Sequence, residues 1–397
     1  MPNSPSPFPF CAWDIVVVGA GPAGLQATLA ALAAGARRVL LLDRRSPWLF
    51  PAVCAEGVGR RGLEQITAPP SAWIRTTISC AVFHAPGGGT LSWREPDRGY
   101  ILDRACMQRD LFMHCREQGA HTDATAHVVS LSRSATGWFD VRCRDGRCAR
   151  AQCVIDASGP LSRLGEGVGC PPARVDAEPS LFVRATGCTI DPASIHVFVG
   201  RHRAPGGGYA WLFPSAQSQV SAGLVAGPGA VTGKALRELL QQFLSRHAPG
   251  AVITACPAGG IIPCASPLPP AHTPTGYLRA GDAAGTVNPV TRAGIVEALR
   301  SGALAGECAA GQLGCATQQK RTAYHRRYAA AWHADRGRNH GRLARVKHEL
   351  AAVPDGDYDV AVQALASRSR TAPGAARLFT LALWRFPRLA ATLRHLL

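Results

Sequence analysis

The stretch that decides the fold is Trp13-Asp14-Ile15-Val16-Val17-Val18-Gly19-Ala20-Gly21-Pro22-Ala23-Gly24. Its first half is a short, β-branched apolar run of the kind that forms a parallel strand buried on both faces. Its second half reads Gly-x-Gly-x-x-Gly and leads into a helix-forming run over 25–34 that Gly35 closes. A second apolar run, Arg38-Val39-Leu40-Leu41-Leu42, then ends at Asp43. Strand, glycine turn, helix and strand within about 30 residues is the setting in which such glycines carry meaning. Gly19 permits a tight turn, Gly21 lets the backbone approach a pyrophosphate, and Gly24 lets the helix pack closely on the strand. The helix start offers free N–H groups and a positive dipole end to the phosphates. Gly19, Gly21, Pro22, Ala23 and Gly24 are therefore candidate dinucleotide contacts.

Asp43, with Arg44 beside it, stands where a carboxylate accepts hydrogen bonds from a ribose diol, which favours FAD or NAD over NADP. A second match to the same letters, Gly57-Val58-Gly59-Arg60-Arg61-Gly62, follows no strand-like run and is a decoy. The choice between FAD and NAD comes from late in the chain. Tyr277-Leu278-Arg279-Ala280-Gly281-Asp282 reads as a strand running into a Gly-Asp turn, and a helix follows from Gly294-Ile295. This resembles the second flavin motif of FAD-dependent oxidoreductases. The resemblance implies that Asp282 holds the ribityl and pyrophosphate part, and that the following helix points its positive end at the flavin ring. Arg104 lies in a segment similar to one that sits near the cofactor in these flavoproteins, with Gln108 in place of the usual Asp. Cys153-Val154-Ile155-Asp156-Ala157-Ser158-Gly159-Pro160-Leu161-Ser162-Arg163 is similar to another of their segments.

Three pieces narrow the likeness: Cys54-Ala55-Glu56-Gly57-Val58, Tyr209-Ala210-Trp211-Leu212-Phe213-Pro214, and Leu278-Arg279-Ala280-Gly281-Asp282 with Asn288-Pro289 and Gly294-Ile295. Over about residues 13–310 the chain resembles the geranylgeranyl reductase family, whose C-G-E-G-I, Y-x-W-x-F-P and T-G-x-G-I patterns they follow. The resemblance implies a p-hydroxybenzoate-hydroxylase-like fold, bound FAD, and reduction of isoprenoid double bonds. Ala55 departs from the family's Gly, and Pro205 is one residue too far from Tyr209 for P-x-x-Y. Arg292-Ala293 interrupts T-G-x-G-I and puts a cation near the flavin. Read on their own, Tyr209, Trp211 and Phe213 alternate and share one strand face, so they form either a core stripe or an apolar wall beside the cofactor. They and Cys54, as a redox or proton-positioning thiol or a buried structural one, are the candidate catalytic residues. The alternative within the same fold is a monooxygenase that hydroxylates an aromatic, small or protein-bound. Halogenation is disfavoured, because the W-x-W-x-I-P signature is absent.

The expected fold class is α/β: a Rossmann-type FAD-binding domain from 12–76, 100–165 and 275–315, a β-rich substrate domain from 77–99 and 166–274, and a C-terminal helical region over 316–397. The 397 residues have room for that, at roughly 100–200 per domain. With 47% hydrophobic and 17% charged residues, the composition excludes a disordered chain. No apolar run reaches the roughly 18 residues of a membrane-spanning helix, and 1–10 lacks the pattern of a signal peptide.

The net charge of +17 is concentrated: from Lys320 onward 15 Lys/Arg face 5 acids. No nucleic-acid motif accompanies it. The basic region is expected as a solvated helix or helix pair over 320–353, broken at Gly337, Asn339 and Gly341. It offers contact with an anionic membrane surface or acidic partner, to which 375–397 adds apolar and Arg residues. The 14 cysteines form no Cys-x-x-Cys, so neither metal nor disulfides are expected, and a reducing cytoplasm, peripheral to a membrane at most, is the expected setting. No second strand-preceded glycine fingerprint occurs, so the reductant is external: NAD(P)H or a ferredoxin-like carrier.

Overall fold

The computed structural model describes residues 8 and 12–366, apart from 47, 50–53, 174, 216–218 and 265–274. Two sheets organise it. The first has the strand order His121–Asp123, Val39–Leu42, Trp13–Val18, Cys148–Asp156, Phe139–Cys143, Val128–Arg133, and Tyr277–Arg279 also pairs with Cys148–Asp156. Around Trp13–Val18 the pairing is parallel, and every residue of that strand except Asp14 is buried, as its unbroken apolar run requires. The second half of the sheet is an antiparallel meander whose tight turn falls at Asp145-Gly146. The α/β class and the Rossmann-type opening are as the sequence indicates.

The second sheet has nine strands, ordered Val252–Ile253, Ala177–Thr186, Val220–Val225, Tyr209–Pro214, Ser194–Phe198, Ile74–His84, Thr90–Leu102, Gly57–Gly59, with Ala258–Pro263 also on Ala177–Thr186. Its alternation sorts side chains between two environments. Leu181, Val183, Ala210 and Leu212 pack against Leu236, Leu240, Phe243 and Leu244 of the helix Gly233–His247. Phe182, Tyr209, Trp211 and Phe213 pack together on the other face. Burying a side chain such as Phe243 contributes about 1.5–3 kcal/mol. The strand Gly57–Gly59 and residues 74–76, expected with the dinucleotide half, lie in this second sheet. Three residues with two glycines carry no strand signal, so their pairing with 99–101 is set by the partner.

The helices Pro22–Ala33 and Ile295–Gln312 pack face to face through small residues: a Cβ at Gly302 would lie 2.2 Å from the Ala23 carbonyl oxygen. The basic region folds as Gln318–Trp332, a π-helical turn over His333–Gly337, and Arg338–Ala352. This corrects the expected break, because the chain stays helical through Asn339 and Gly341. It also corrects the expectation of a solvated tail, since His325, Tyr328, Trp332, His340 and Lys347 are buried. Among the described residues no helix is long and apolar enough to cross a membrane, no cluster of His, Cys, Asp or Glu has metal-binding form, and the cysteines are free thiols. The segment 375–397 lies outside the described residues.

Candidate active site

At the first bend, Gly19 has φ 104°, and a side chain there would meet the Ala157 carbonyl oxygen at 2.2 Å, so only glycine fits. A Cβ at Gly24 would meet the Gly19 carbonyl oxygen at 1.7 Å, which is the close approach of helix to turn. Gly21 is the contrast: nothing lies within 4 Å of the place its Cβ would take. Pro22 and Ala23 start a helix with no side-chain cap and no acid in its first turn. Asp43 ends the second strand and ties it to the loop, its Oδ2 accepting from the Ala20 N–H at 2.6 Å and its Oδ1 from the Arg45 N–H at 3.2 Å. Arg44 is exposed, and its charge, after burial and Arg144, helps hold His127 below the usual histidine range.

The second bend lands on the first. Gly281, with φ 59°, donates its N–H to Ser301 Oγ at 2.9 Å, and a Cβ there would lie 2.7 Å from the Ala23 Cβ. Burial pushes the Asp282 carboxyl up to about 6, with Arg104 close enough for its charge to oppose the shift. Arg104 opens the helix Arg104–Glu117 and donates to Gln108 Oε1 at 2.6 and 3.1 Å. Gly294 precedes the helix that Ile295 begins, again without a side-chain cap, and Asp282 Oδ1 lies 3.8 Å from the place a Gly294 Cβ would take. Two uncapped helix starts, an open side at Gly21, and the carboxylates of Asp43 and Asp282 thus border one surface. Such a donor and acceptor set fits a ligand that carries both a pyrophosphate and ribose-like hydroxyls.

Against this surface stands the aromatic strand. Tyr209 and Trp211 have ring centroids 6.3 Å apart, and Trp211 and Phe213 6.5 Å, so the three share a face as their alternation requires. Gly223 makes room for Trp211, since a Cβ there would lie 2.4 Å from its Cζ2. Tyr209 donates its hydroxyl to the Thr291 carbonyl at 2.7 Å, joining the strand to the loop ahead of helix Ile295–Gln312. Burial pushes that hydroxyl up to about 12. The segment holding Cys54 faces the same wall: Ala55 packs on Trp211 and its neighbours, and a Cβ at Gly57 would meet Phe213 at 3.2 Å. Gly57-Val58-Gly59 is therefore not a phosphate loop. Cys54 Sγ accepts the Glu56 N–H at 3.2 Å.

The residues that sequence reasoning missed are charges paired over long separations. Glu56, in the left-handed region at φ 64°, accepts from Arg184 at 2.7 Å, and Arg184 and Arg75 share Ser215 Oγ. Asp156 accepts from Ser158, Ser162 and the Tyr277 hydroxyl at 2.6, 2.6 and 2.7 Å, which binds the loop after one strand to the strand that leads to Gly281. The cation at Arg292, expected near the flavin, is paired within the protein. Its Nε lies 2.9 Å from Glu178 Oε2, and its guanidinium sits 5.4 Å above the Tyr209 ring. No local pattern marks the partners of Glu56 and Arg292, because each lies on a different element, whereas Ser158 and Ser162 lie in the same segment as Asp156.

Residues 176–260, which hold the aromatic strand, match the family model described as the geranylgeranyl reductase catalytic domain. The chain is 34% identical over 310 residues to digeranylgeranylglycerophospholipid reductase 2 of Methanopyrus kandleri, spanning 75% of this chain and 77% of that one. It is 30% identical over 363 residues to the digeranylgeranylglycerophospholipid reductase of Methanocella arvoryzae, spanning 89% and 91%. A solved structure from Thermoplasma acidophilum, described as geranylgeranyl bacteriochlorophyll reductase-like, superimposes with a TM-score of 0.86 over 97% of this chain and 99% of that one, at 22% identity. At that identity the structural likeness speaks for the fold.

Proposed function

The chain belongs to the geranylgeranyl reductase family, and from that membership we propose that it is an FAD-dependent reductase of isoprenoid carbon–carbon double bonds, acting on an apolar lipid of the digeranylgeranyl type. The observation that carries this reading is the meeting of the two bends, Gly281 on Ala23, beside the wall of Tyr209, Trp211 and Phe213.

In this reading Gly19, Gly21, Pro22, Ala23 and Gly24 hold the pyrophosphate on the start of the first helix, and Asp43 takes the ribose. Asp282, with Arg104 opposite, takes the ribityl side, and Gly294-Ile295 present a second helix dipole to the ring. Bound FAD supplies hydride chemistry. The start of helix Ile295–Gln312 favours negative charge placed near it. The aromatic strand lays an isoprenoid chain along its face and keeps water out, so that orientation rather than new covalent chemistry is the protein's contribution. Two exchangeable protons border the wall. Tyr209 keeps its own at neutral pH, since burial holds its hydroxyl up at about 12 and the Thr291 carbonyl accepts from it. Cys54 Sγ, held by the Glu56 N–H, positions the proton for the second alkene carbon. The reductant is external, NAD(P)H or a ferredoxin-like carrier, and the basic helices bring the enzyme to an anionic lipid surface.

The test is direct. The FAD-loaded protein is reduced anaerobically with dithionite and mixed with a digeranylgeranyl phospholipid in detergent. Oxidised flavin absorbance should return while the lipid gains two hydrogens per double bond. A flavin that stays reduced over an unchanged lipid, with oxygen-dependent hydroxylation of an added aromatic, would overturn the reading in favour of a hydroxylase.

A further inference from the structure

Where the family pattern T-G-x-G-I has its first glycine, this chain has Arg292. The backbone there keeps the glycine conformation, φ 57°, in which a long side chain is strained. What holds an arginine in it is visible. Nη1 donates to the Val290 carbonyl at 2.7 Å, Nη2 to the Gly207 carbonyl at 3.0 Å, and Nε lies 2.9 Å from Glu178 Oε2. The Arg292 side chain is 5% exposed and the Glu178 side chain 0%. Glu178 meets a second cation, Lys347 Nζ at 2.5 Å, which also reaches Asp176 and the Cys264 carbonyl at 2.8 Å.

Three elements are thus tied by one buried carboxylate: the loop ahead of helix Ile295–Gln312, the strand Ala177–Thr186, and the basic helix Arg338–Ala352. A buried ion pair adds little net stability over apolar packing, yet losing one partner leaves the other uncompensated. Its effect is therefore to fix geometry, and here the geometry fixed is that of the loop whose Thr291 carbonyl also accepts from Tyr209.

We propose that Arg292, Glu178 and Lys347 form a clamp that positions the 288–294 loop against the aromatic strand and makes the helix Arg338–Ala352 part of the active site. The inference rests on the reading of that loop as the cofactor-facing one. Arg292 and Lys347 are positioning residues: they act through the loop and not on the reacting atoms. Because Lys347 belongs to the basic helix, whatever draws that helix away from the body also frees the loop.

Hydrogen exchange on the apoprotein tests the clamp without cofactor or substrate. In Lys347→Met and in Arg292→Gly, amides in 286–294 should exchange about tenfold faster than in the wild type, and Lys347→Arg should restore most of the protection. In the FAD-loaded protein, Arg292→Gly should also shift the visible flavin band, which a change in stability alone would leave in place. Unchanged exchange in 286–294 in folded Arg292→Gly and Lys347→Met would overturn the proposal. Should Lys347→Met not fold, Arg292→Gly decides alone, since it returns the family's residue and relieves the strain. A wild type that fails to bind FAD strikes the functional reading, and leaves the exchange result standing.

Discussion

Gly21→Ala separates a loop shaped for its own sake from one shaped for a ligand. Gly21 has φ −75° and ψ 178°, a backbone that any residue adopts, and no heavy atom lies within 4 Å of the added methyl. The apoprotein should tolerate the change and even gain about 0.4–1 kcal/mol from a less free unfolded chain. If the open space is where a pyrophosphate approaches, the methyl stands in its way and lifts it off the helix N–H groups. Hydrogen bonds to charged groups are worth about 1.5–3 kcal/mol each. Losing two therefore weakens FAD by roughly 3–6 kcal/mol, about a hundredfold to ten-thousandfold in Kd. The assay pairs a thermal melt of the apoprotein with an FAD titration followed by flavin fluorescence. Gly24→Ala is the comparator, because its methyl would lie 1.7 Å from the Gly19 carbonyl oxygen and should destabilise the apoprotein as well. A Gly21→Ala protein that melts like the wild type and binds FAD within threefold of it would refute the placement of the pyrophosphate.

Asp282 gives a pH test: its carboxyl is raised from near 3.8 to about 6 in the folded protein. Between those values the folded state holds more protons than the unfolded one, so this group's contribution falls as pH rises, and a penalty of about 3 kcal/mol is fully present above pH 6. Asp282→Asn should flatten the change in apoprotein melting temperature between pH 4.5 and 7 and weaken FAD binding; a melting profile as steep as the wild type's would count against it. Gly223→Ala should cost about 1–3 kcal/mol by overpacking, since its methyl would lie 2.4 Å from Trp211 and 2.5 Å from Phe182, and denaturant unfolding with tryptophan emission measures both the loss and the displaced ring. Arg338, Arg342 and Arg345 are exposed on the helix whose other face is buried. At about 1 kcal/mol per cation near an anionic surface, changing all three to Gln should lower co-sedimentation with phosphatidylserine vesicles by about a hundredfold in affinity, and unchanged binding would remove these helices from the membrane proposal. Removing 375–397 tests the other segment in the same assay.

What could be read from the sequence was local or periodic. The strand of Trp13–Val18 announces itself because a parallel strand buried on both faces must be apolar throughout, and the glycine turn because its spacing is dictated by backbone contact. The shared face of Tyr209, Trp211 and Phe213 follows from the two-residue period of any strand. What could not be read was pairing across the fold. Glu178 is fully buried in a strand over a hundred positions from Arg292, and Lys347 comes from a helix whose other cations are exposed. A count of charge over 320–397 treats these cations alike; only packing tells Lys347, held under the surface by two carboxylates, from Arg345. The left-handed backbone at Arg292 is similarly hidden, since arginine gives no hint of a conformation that glycine would have advertised.

The way the helices begin adds an argument that does not depend on any relative. Two helices away from the site carry side-chain caps, Thr232 accepting from the Ala235 N–H and Thr317 from the Lys320 N–H, while Asp103 caps the helix that Arg104 opens beside the site by accepting from the Cys106 N–H. Replacing such a cap with a residue that cannot accept costs about 0.5–2 kcal/mol; the short helix Arg60–Glu64 and the helix Arg338–Ala352 also start on a glycine without one. The two helices that meet at the bends, Pro22–Ala33 and Ile295–Gln312, are each preceded by a glycine that offers no side chain. Both starts open on the surface bordered by Asp282 and lie at the positive ends of their dipoles, the second with Glu297 in its first turn. Leaving both uncapped side by side, where serine or aspartate would have stabilised each, makes physical sense if acceptors come from outside the chain. A pyrophosphate and an electron-rich ring are acceptors of that kind, and they would be gripped at these two glycine-preceded starts.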